Sequence, residues 1–312
     1  MKRSFLSSLW VLLVFVNTAF SQYSFFTEEV EMDSLISGSL YEPKGIDKPP
    51  LIIMIAGSGP TDRNGNTRPS VINNSLKFLA EGLAKKGIAC FSYDKRIFAQ
   101  MKNNTLDESD LRFEDMVEDA TNALNFFRNK DEYKSIFLLG HSEGSTIGLL
   151  AAQNGANGFI SVAGPGRNAA EILIEQISKN APMLVDDTKR ILEALARNED
   201  PGSINPFLVS LFRPSVQPYL KSWMKYDPAI EISKLNMPIL IVQGDKDIQV
   251  SAIDAENLYS SATDSKLYII KNMNHVLKII EGDLSENIAS YTNPDLPVAE
   301  QLVDVIVQFV GN

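Results

Sequence analysis

A continuous apolar run leads directly into a short glycine-flanked turn at residues 135–144, which read SIFLLGHSEG. The apolar run predicts a strand that is buried on both faces, as in a parallel sheet covered by helices. The turn has the pattern G-x-S-x-G, and a helix is predicted to begin at Glu143. A sharp strand-to-helix turn strains the backbone of its corner residue, here Ser142, and flanking glycines leave room for it. The sequence therefore predicts that the Ser142 hydroxyl is exposed at the carboxyl end of a sheet, where open α/β folds bind ligands.

The same alternation of apolar runs and helical patterns continues on both sides of this turn. Further strands are predicted at 51–56, 88–93, 159–164, 237–243 and 266–270. Helical spacing of apolar residues predicts helices at 71–86, 113–127, 252–261 and 298–310. An antiparallel hairpin, 30–34 with 39–42, is predicted before them. Strands that alternate with helices form right-handed βαβ units. The predicted class is therefore α/β, with a mostly parallel central sheet flanked by helices.

One long segment interrupts this alternation. Residues 167–227 contain no strand-like run and show helical patterns near 168–179, 184–197 and 214–225. We interpret this segment as a helical lid inserted into a single α/β domain, which is made of residues 22–166 and 228–312.

Residues 1–21 have the three parts of a secretory signal peptide. Two basic residues precede an uncharged apolar stretch, and Ala19 and Ser21 stand at positions −3 and −1 before Gln22. The stretch is short for a membrane span of roughly 20 residues. We therefore expect cleavage of this leader, export to the periplasm or the medium, and no membrane association of the mature protein.

The composition excludes several kinds of site. Among 312 residues, 39 are acidic and 29 basic, which gives a net charge of −10. A field of this sign repels phosphate backbones, so no nucleic-acid partner is expected. The only cysteine, Cys90, cannot form an internal disulfide or a cysteine-based zinc site. With only two histidines, His141 and His275, a histidine-rich metal site is excluded as well. We expect the protein to use no metal or other cofactor.

A serine hydroxyl is a weak nucleophile near neutral pH and needs a base. His141 precedes Ser142 directly, and because neighbouring side chains diverge, we expect its ring to pack behind the site. His275 follows a predicted strand and so lies at the same carboxyl edge of the sheet as Ser142, which makes it the candidate base. The base in turn needs an orienting carboxylate. Asp245 and Asp247 both follow the strand predicted to end at residue 243, and the residues by themselves leave both open.

A developing oxyanion needs two backbone N–H donors. The first candidate is the N–H of Glu143, because it follows Ser142 at the start of a helix, where N–H groups and the helix dipole favour negative charge. The second is the N–H of Ser58, in the turn Gly57-Ser58-Gly59 that follows the first predicted parallel strand.

With these residues in the order serine, aspartate, histidine, the chain resembles the α/β-hydrolase superfamily over nearly its whole length after the leader. In that family the acid usually stands third after a glycine and three residues before a hydrophobic residue. Gly244-x-x-Asp247-x-x-Val250 has this spacing, so the resemblance assigns the acid role to Asp247. The family's frequent His-Gly-x turn reads Ala56-Gly57-Ser58 here, and it therefore lacks the histidine.

Within the superfamily, residues 57–66, which read GSGPTDRNGN, resemble bacterial secreted serine esterases and serine aminopeptidase-like hydrolases. The resemblance implies a carboxylic-ester hydrolase that acts on a small-molecule ester through an acyl-enzyme on Ser142. The alternative is a peptidase or amidase that cleaves a short peptide with the same triad of Ser142, His275 and Asp247. A third possibility is an inactive binding protein on this fold. Haloalkane dehalogenases and epoxide hydrolases are disfavoured, since they carry aspartate at the corner of this strand-to-helix turn, the nucleophile elbow, where Ser142 stands here.

The side chain of Glu143 raises a separate question, because a free carboxylate beside the nucleophile would oppose a developing oxyanion. We predict that it turns away and pairs with Arg63 or Arg96. Some apolar residues of the lid are expected to line an acyl or aryl pocket; the candidates are Phe207, Leu208, Leu211, Phe212, Tyr219, Trp223 and Met224. The acidic residues of the lid are expected on solvated helix faces, with recognition of a substrate amine as the alternative; they are Glu171, Glu175, Glu193 and Glu199.

Overall fold

The computed structural model describes residues 23–311, and the predicted leader lies outside this range. A central sheet of eight strands passes through the described part of the chain in the order β1-β2-β4-β3-β5-β6-β7-β8. The strands are β1 (Phe25–Glu31), β2 (Ser37–Pro43), β3 (Leu51–Ile55), β4 (Ala89–Tyr93), β5 (Ile136–His141), β6 (Gly158–Val162), β7 (Ile239–Gly244) and β8 (Ser265–Ile270). Strands β1 and β2 are antiparallel to their neighbours, and the pairs from β4 to β8 are parallel.

Helices cover both faces of this sheet. They are α1 (Ser75–Lys85), α2 (Arg96–Lys102), α3 (Phe113–Lys130), α4 (Glu143–Ala152), α5 (Ala169–Asn180), α6 (Val185–Ala196), α7 (Val209–Phe212), α8 (Gln217–Trp223), α9 (Pro228–Ile232), α10 (Ala252–Ser261), α11 (Leu284–Ser290) and α12 (Glu300–Val310). Within residues 23–311, no helix combines the length and the apolar character needed to cross a membrane.

The apolar strands divide their side chains between two cores. Leu51, Ile53 and Ile55 of β3 pack into the cluster formed with α3 and α4. Ile52 and Met54 pack into the cluster formed with α1 and α12. Because successive side chains of a strand point to opposite faces, a strand covered on both sides must be apolar at every position. The mostly parallel α/β architecture predicted from these runs is thus present.

The opening hairpin differs from its predicted bounds. Its first strand begins at Phe25 and ends at Glu31, so Ser34 lies in the turn rather than in a strand. Val30 is the only buried residue of β1. An edge strand with one buried side chain has no clear apolar alternation, and the predicted bounds were therefore wrong.

Between β6 and β7 the chain forms a helical segment with an apolar cluster of its own. The cluster joins α5, α6 and α8 and includes Ile191, Leu208 and Phe212, all of them buried. The segment is tied to the rest of the molecule by Arg167, whose guanidinium binds the buried carboxylate of Asp254 in α10 at 2.7 Å. Residues predicted as a lid therefore form a helical layer that packs at the carboxyl edge of the sheet.

Candidate active site

Ser142 occupies the junction between β5 and α4 with φ 56° and ψ −125°. This left-handed region is strained for a residue with a side chain, at a cost of roughly 1–3 kcal/mol. A Cβ on Gly140 would collide with the carbonyl of Gly144, and a Cβ on Gly144 would collide with the carbonyl of Ile55. Only glycine therefore fits at either position, and the sharp turn predicted from the G-x-S-x-G sequence is formed.

His275 lies in the loop that follows β8, where its Nδ1 is 2.8 Å from Oδ2 of Asp247. Oδ1 of the same carboxylate accepts hydrogen bonds from the N–H groups of Gln249 and Val250, at 2.8 and 2.9 Å. The side-chain amide of Gln243 donates to Oδ2 at 2.9 Å. Burial alone would raise the pKa of Asp247, but the charge and hydrogen bond of His275 and the two N–H groups hold it below its ordinary value.

The structure distinguishes the two aspartates that the sequence left open. Asp245 is exposed, and its Oδ1 accepts the N–H of Asn272 at 2.6 Å. Asp247, with its side chain 1% exposed, is the aspartate that contacts His275. Gln243 was not among the predicted site residues, although a glutamine at the end of an apolar strand was a signal for it.

His141 packs behind the site, as its position next to Ser142 led us to expect. Its Nε2–H donates to the carbonyl oxygen of His275 at 2.8 Å, and the two rings lie 4.9 Å apart. Burial, and then the nearby His275, lower the pKa of His141 to about 4. The ring is therefore neutral near pH 7, and its hydrogen bond holds the backbone of the loop that carries His275.

The two residues predicted to supply the oxyanion donors line the same cavity as Ser142 and His275. This cavity has a volume of about 300 Å³ and is lined by Ser58, Glu143 and both of those residues. Gly57 packs against the serine, since a Cβ on Gly57 would lie 3.1 Å from Cβ of Ser142. Within residues 23–311, neither the Ser58 N–H nor the Glu143 N–H donates to another group. Both N–H groups are thus without a hydrogen-bond partner in the described part of the chain.

The carboxylate of Glu143 turns away and pairs with a cation, but the predicted cation was wrong. Its Oε2 lies 3.0 Å from Nζ of Lys95, and its Oε1 accepts the hydroxyl of Tyr219 at 2.8 Å. Lys95 follows β4 at the carboxyl edge of the sheet, which brings its side chain to the elbow. The two arginines have other partners, because Arg63 binds Asp94 and Arg96 binds Asp119.

A second cavity, of about 440 Å³, adjoins the first beneath the helical segment. Leu211, Leu220 and Trp223 line both cavities. Some of the apolar residues of segment 167–227 that were expected to line a pocket therefore do so. Phe207 instead is 85% exposed, while Phe212 is buried in the cluster of the segment itself. The cavity linings include none of the four acidic lid residues considered for amine recognition: Glu171, Glu175, Glu193 and Glu199.

Comparison with known sequences places the chain near esterases and peptidases. The family model described as "Serine aminopeptidase, S33" matches residues 73–204. Esterase EstD of Thermotoga maritima is 29% identical over 268 residues, which cover 83% of this chain and 62% of that protein. The chain thus spans less than two thirds of the length of this relative.

Comparison with solved structures identifies the fold. Est1E from Butyrivibrio proteoclasticus superposes with a TM-score of 0.58 at 17% identity, covering 92% of this chain and 99% of that one. The Pyrococcus furiosus esterase PF2001 gives a TM-score of 0.54 at 13% identity, covering 100% of this chain and 98% of that one. The chain therefore has the α/β-hydrolase fold, and the fold predicted from its sequence is confirmed.

Proposed function

We propose that this α/β-hydrolase is a serine carboxylic-ester hydrolase that works through an acyl-enzyme. Ser142 is the nucleophile, His275 the general base and acid, and Asp247 the residue that orients His275. The N–H groups of Ser58 and Glu143 bind the oxyanion. One observation carries the proposal: a strained serine elbow and a histidine–aspartate pair open into one cavity together with two unengaged N–H donors.

The reaction follows from the hydrogen bonds of His275. Because Nδ1–H donates to Asp247, Nε2 carries the lone pair that accepts a proton from the Ser142 hydroxyl. The serine oxygen attacks the acyl carbon, and the resulting oxyanion is held by the two N–H donors. The alcohol then leaves with the proton from His275. In the second half, His275 takes a proton from a water molecule as the water oxygen attacks the acyl carbon. The bond between the acyl group and Ser142 then breaks, His275 gives the proton to the serine oxygen, and the acyl group leaves as a carboxylic acid.

The shape of the site supports a small, largely apolar ester. The cavity at Ser142 and the adjoining cavity share the walls formed by Leu211, Leu220 and Trp223. A substrate can therefore place apolar groups on both sides of its ester bond. Such pockets gain affinity from apolar burial, with a few polar groups to fix orientation.

A peptidase that uses the same residues is the second candidate, and the match of residues 73–204 to a serine aminopeptidase model favours it. An aminopeptidase must bind a free amine, for which a carboxylate is the natural partner. Glu143 is the acidic residue of the Ser142 cavity, and its carboxylate is already paired with Lys95. The site therefore favours the ester over the peptide.

A panel of p-nitrophenyl esters, measured beside aminoacyl p-nitroanilides, tests this choice. We expect hydrolysis of the esters by the wild type and at least a 10³-fold loss of kcat in Ser142→Ala. A higher kcat/KM for the anilides would favour the peptidase. Equal turnover by Ser142→Ala and the wild type would refute the mechanism altogether.

Two features predicted from the sequence complete the proposal. We propose that residues 167–227 act as a lid over the core formed by 22–166 and 228–312. We also propose that the leader 1–21 directs export. Sequencing the amino terminus of the protein recovered from the periplasm or the medium tests the export proposal. The expected first residue is Gln22, and an intact Met1 would contradict it.

A further inference from the structure

A buried ion pair lies beside the triad and takes no part in the proton transfers described above. The side chains of Lys95 and Glu143 are 6% and 2% exposed, and their charged atoms are 3.0 Å apart. Removing two charges from water is costly, and a buried pair often adds little to stability compared with apolar residues of similar size. The position of this pair therefore calls for a reason other than stability.

The geometry around Lys95 supplies that reason. Besides Glu143, its Nζ donates to the carbonyl oxygen of Gly57 at 2.5 Å. The Gly57–Ser58 peptide is trans, so its carbonyl and the Ser58 N–H point in opposite directions. With the carbonyl held by Lys95, the N–H is directed away from Lys95. Ser58 itself lines the cavity of Ser142.

The other half of the pair belongs to the second oxyanion donor. Glu143 supplies its backbone N–H at the start of α4, while its side chain reaches Lys95. One ion pair thus connects the two peptide units whose N–H groups are proposed to bind the oxyanion. The ammonium also offsets the negative charge of the Glu143 carboxylate. Its hydrogen bond to the Gly57 carbonyl polarises the Gly57–Ser58 peptide, whose N–H is the other proposed donor.

A residue of the helical segment is hydrogen-bonded to the same ion pair. Tyr219 of α8 donates its hydroxyl to Oε1 of Glu143 at 2.8 Å. Its ring packs edge-on against Phe113, with centroids 6.0 Å apart. The helical segment is therefore connected to the same carboxylate as Lys95.

We propose that Lys95 and Glu143 are positioning residues that hold both oxyanion donors in place, and that Tyr219 connects the lid to this arrangement. The inference rests on the proposed ester hydrolysis. It assigns a role to the charges of Lys95 and Glu143, which take no part in the proton transfers of the triad.

Kinetics of Lys95→Met, Glu143→Gln and the double variant test the proposal. We expect each single variant to lower kcat for p-nitrophenyl esters by about 10- to 100-fold with KM changed less than about 3-fold, since the lost interaction acts on the transition state. The double variant removes both charges and leaves none unpaired. It should stay impaired, because the Gly57 carbonyl still lacks its donor.

Tyr219→Phe provides a milder test if Lys95→Met fails to fold. It removes one hydroxyl and should lower kcat by about 3- to 10-fold. The matched control is Tyr226→Phe, because Tyr226 also donates to a glutamate, Glu114, at 3.2 Å but, unlike Tyr219, lines neither cavity. It should retain wild-type kcat.

A trifluoromethyl ketone, which forms a tetrahedral adduct with a serine, separates positioning from a merely structural role. Its Ki should rise in these variants in proportion to the loss of kcat/KM, while inhibition by the corresponding trifluoromethyl alcohol, which is neutral and forms no tetrahedral adduct, stays unchanged. Folded variants with wild-type kcat and Ki would overturn the proposal, as would a higher KM with unchanged kcat. If the wild type hydrolyses no ester at all, the proposed function fails instead, so the two failures are distinguishable.

Discussion

Ser142 has a positive φ, which residues with side chains avoid. The close packing of the residues on either side of it holds the backbone in this conformation. Gly140 and Gly144 pass so close to other backbone atoms that neither position accepts a Cβ. The packing of β5 and α4 therefore imposes the backbone strain at Ser142. As a result, the Ser142 hydroxyl lies at the carboxyl edge of the sheet. A local sequence of five residues and its flanking elements were sufficient to predict this turn.

At the same scale, the two aspartates after β7 should differ sharply in their effect on activity. Asp247→Asn should lower kcat for a p-nitrophenyl ester by about 10⁴-fold, because the amide no longer stabilises the imidazolium or fixes its tautomer. Asp245→Asn is the control and should stay within about 3-fold of the wild type, because Asp245 is exposed and bonds the N–H of Asn272. Comparable losses in the two variants would contradict the assignment.

The buried imidazole of His141 should make stability depend on pH. Its pKa is lowered to about 4 in the folded state by burial and by His275, against about 6.5 in an unfolded chain. Between these values the unfolded state binds the extra proton, so acidification favours unfolding. From pH 7 to pH 5, the wild type should lose about 2 kcal/mol more unfolding free energy than His141→Gln in urea titrations. Identical pH dependence in the two proteins would refute this.

The residues of the site were not equally accessible to sequence reasoning. Ser142 and His275 could be predicted because each follows an apolar strand, and few other residues could do their chemistry. Lys95 could not, because a single lysine after a strand is indistinguishable from a surface lysine until the strand order is known. Strand β4 lies next to β3, and β3 lies next to β5. This strand order brings Lys95 close to Ser142, and it cannot be read from the residues around Lys95.

At the scale of elements, helices α2 and α3 are joined by a bidentate pair between Arg96 and Asp119. The two guanidinium contacts measure 2.7 and 2.9 Å, and the Asp119 side chain is 4% exposed. The helix α2 has no buried residue. Arg96 is therefore its main polar anchor, beside the partly buried Ile97 that packs against the core. The lack of an apolar stripe explains why the sequence did not predict this helix.

Breaking this pair should destabilise the protein strongly. Asp119→Ala should lower the free energy of unfolding by about 2–3 kcal/mol, because Arg96 loses its two shortest charged hydrogen bonds and keeps only weaker contacts with Asp115 and Glu118. Glu118→Ala is the matched control, since Glu118 contacts the same arginine but is 65% exposed. It should cost less than about 1 kcal/mol. Urea unfolding measures both, and equal losses would show that the pair does not anchor α2.

At the scale of the whole molecule, residues of both the helical segment and the core line the cavity at Ser142. Leu211 lines both cavities from the segment side. Leu211→Ala should therefore enlarge the site and shift the preferred acyl chain of p-nitrophenyl esters toward longer chains, by about two to four carbons. Phe207→Ala, a change at a residue 85% exposed on the same segment, should leave the preference unchanged. The profile of kcat/KM against acyl length checks this, and an unchanged profile in Leu211→Ala would contradict it.

The proposed chemistry requires that Ser142 form a covalent bond with the reacting group. Incubation with a fluorophosphonate, followed by tryptic digestion and tandem mass spectrometry, identifies the modified residue. We predict one adduct, on the peptide 135–167 at Ser142, with no adduct in Ser142→Ala and at least 10³-fold slower labelling in His275→Ala. An adduct at another residue, or undiminished labelling of Ser142→Ala, would contradict the assignment of the nucleophile.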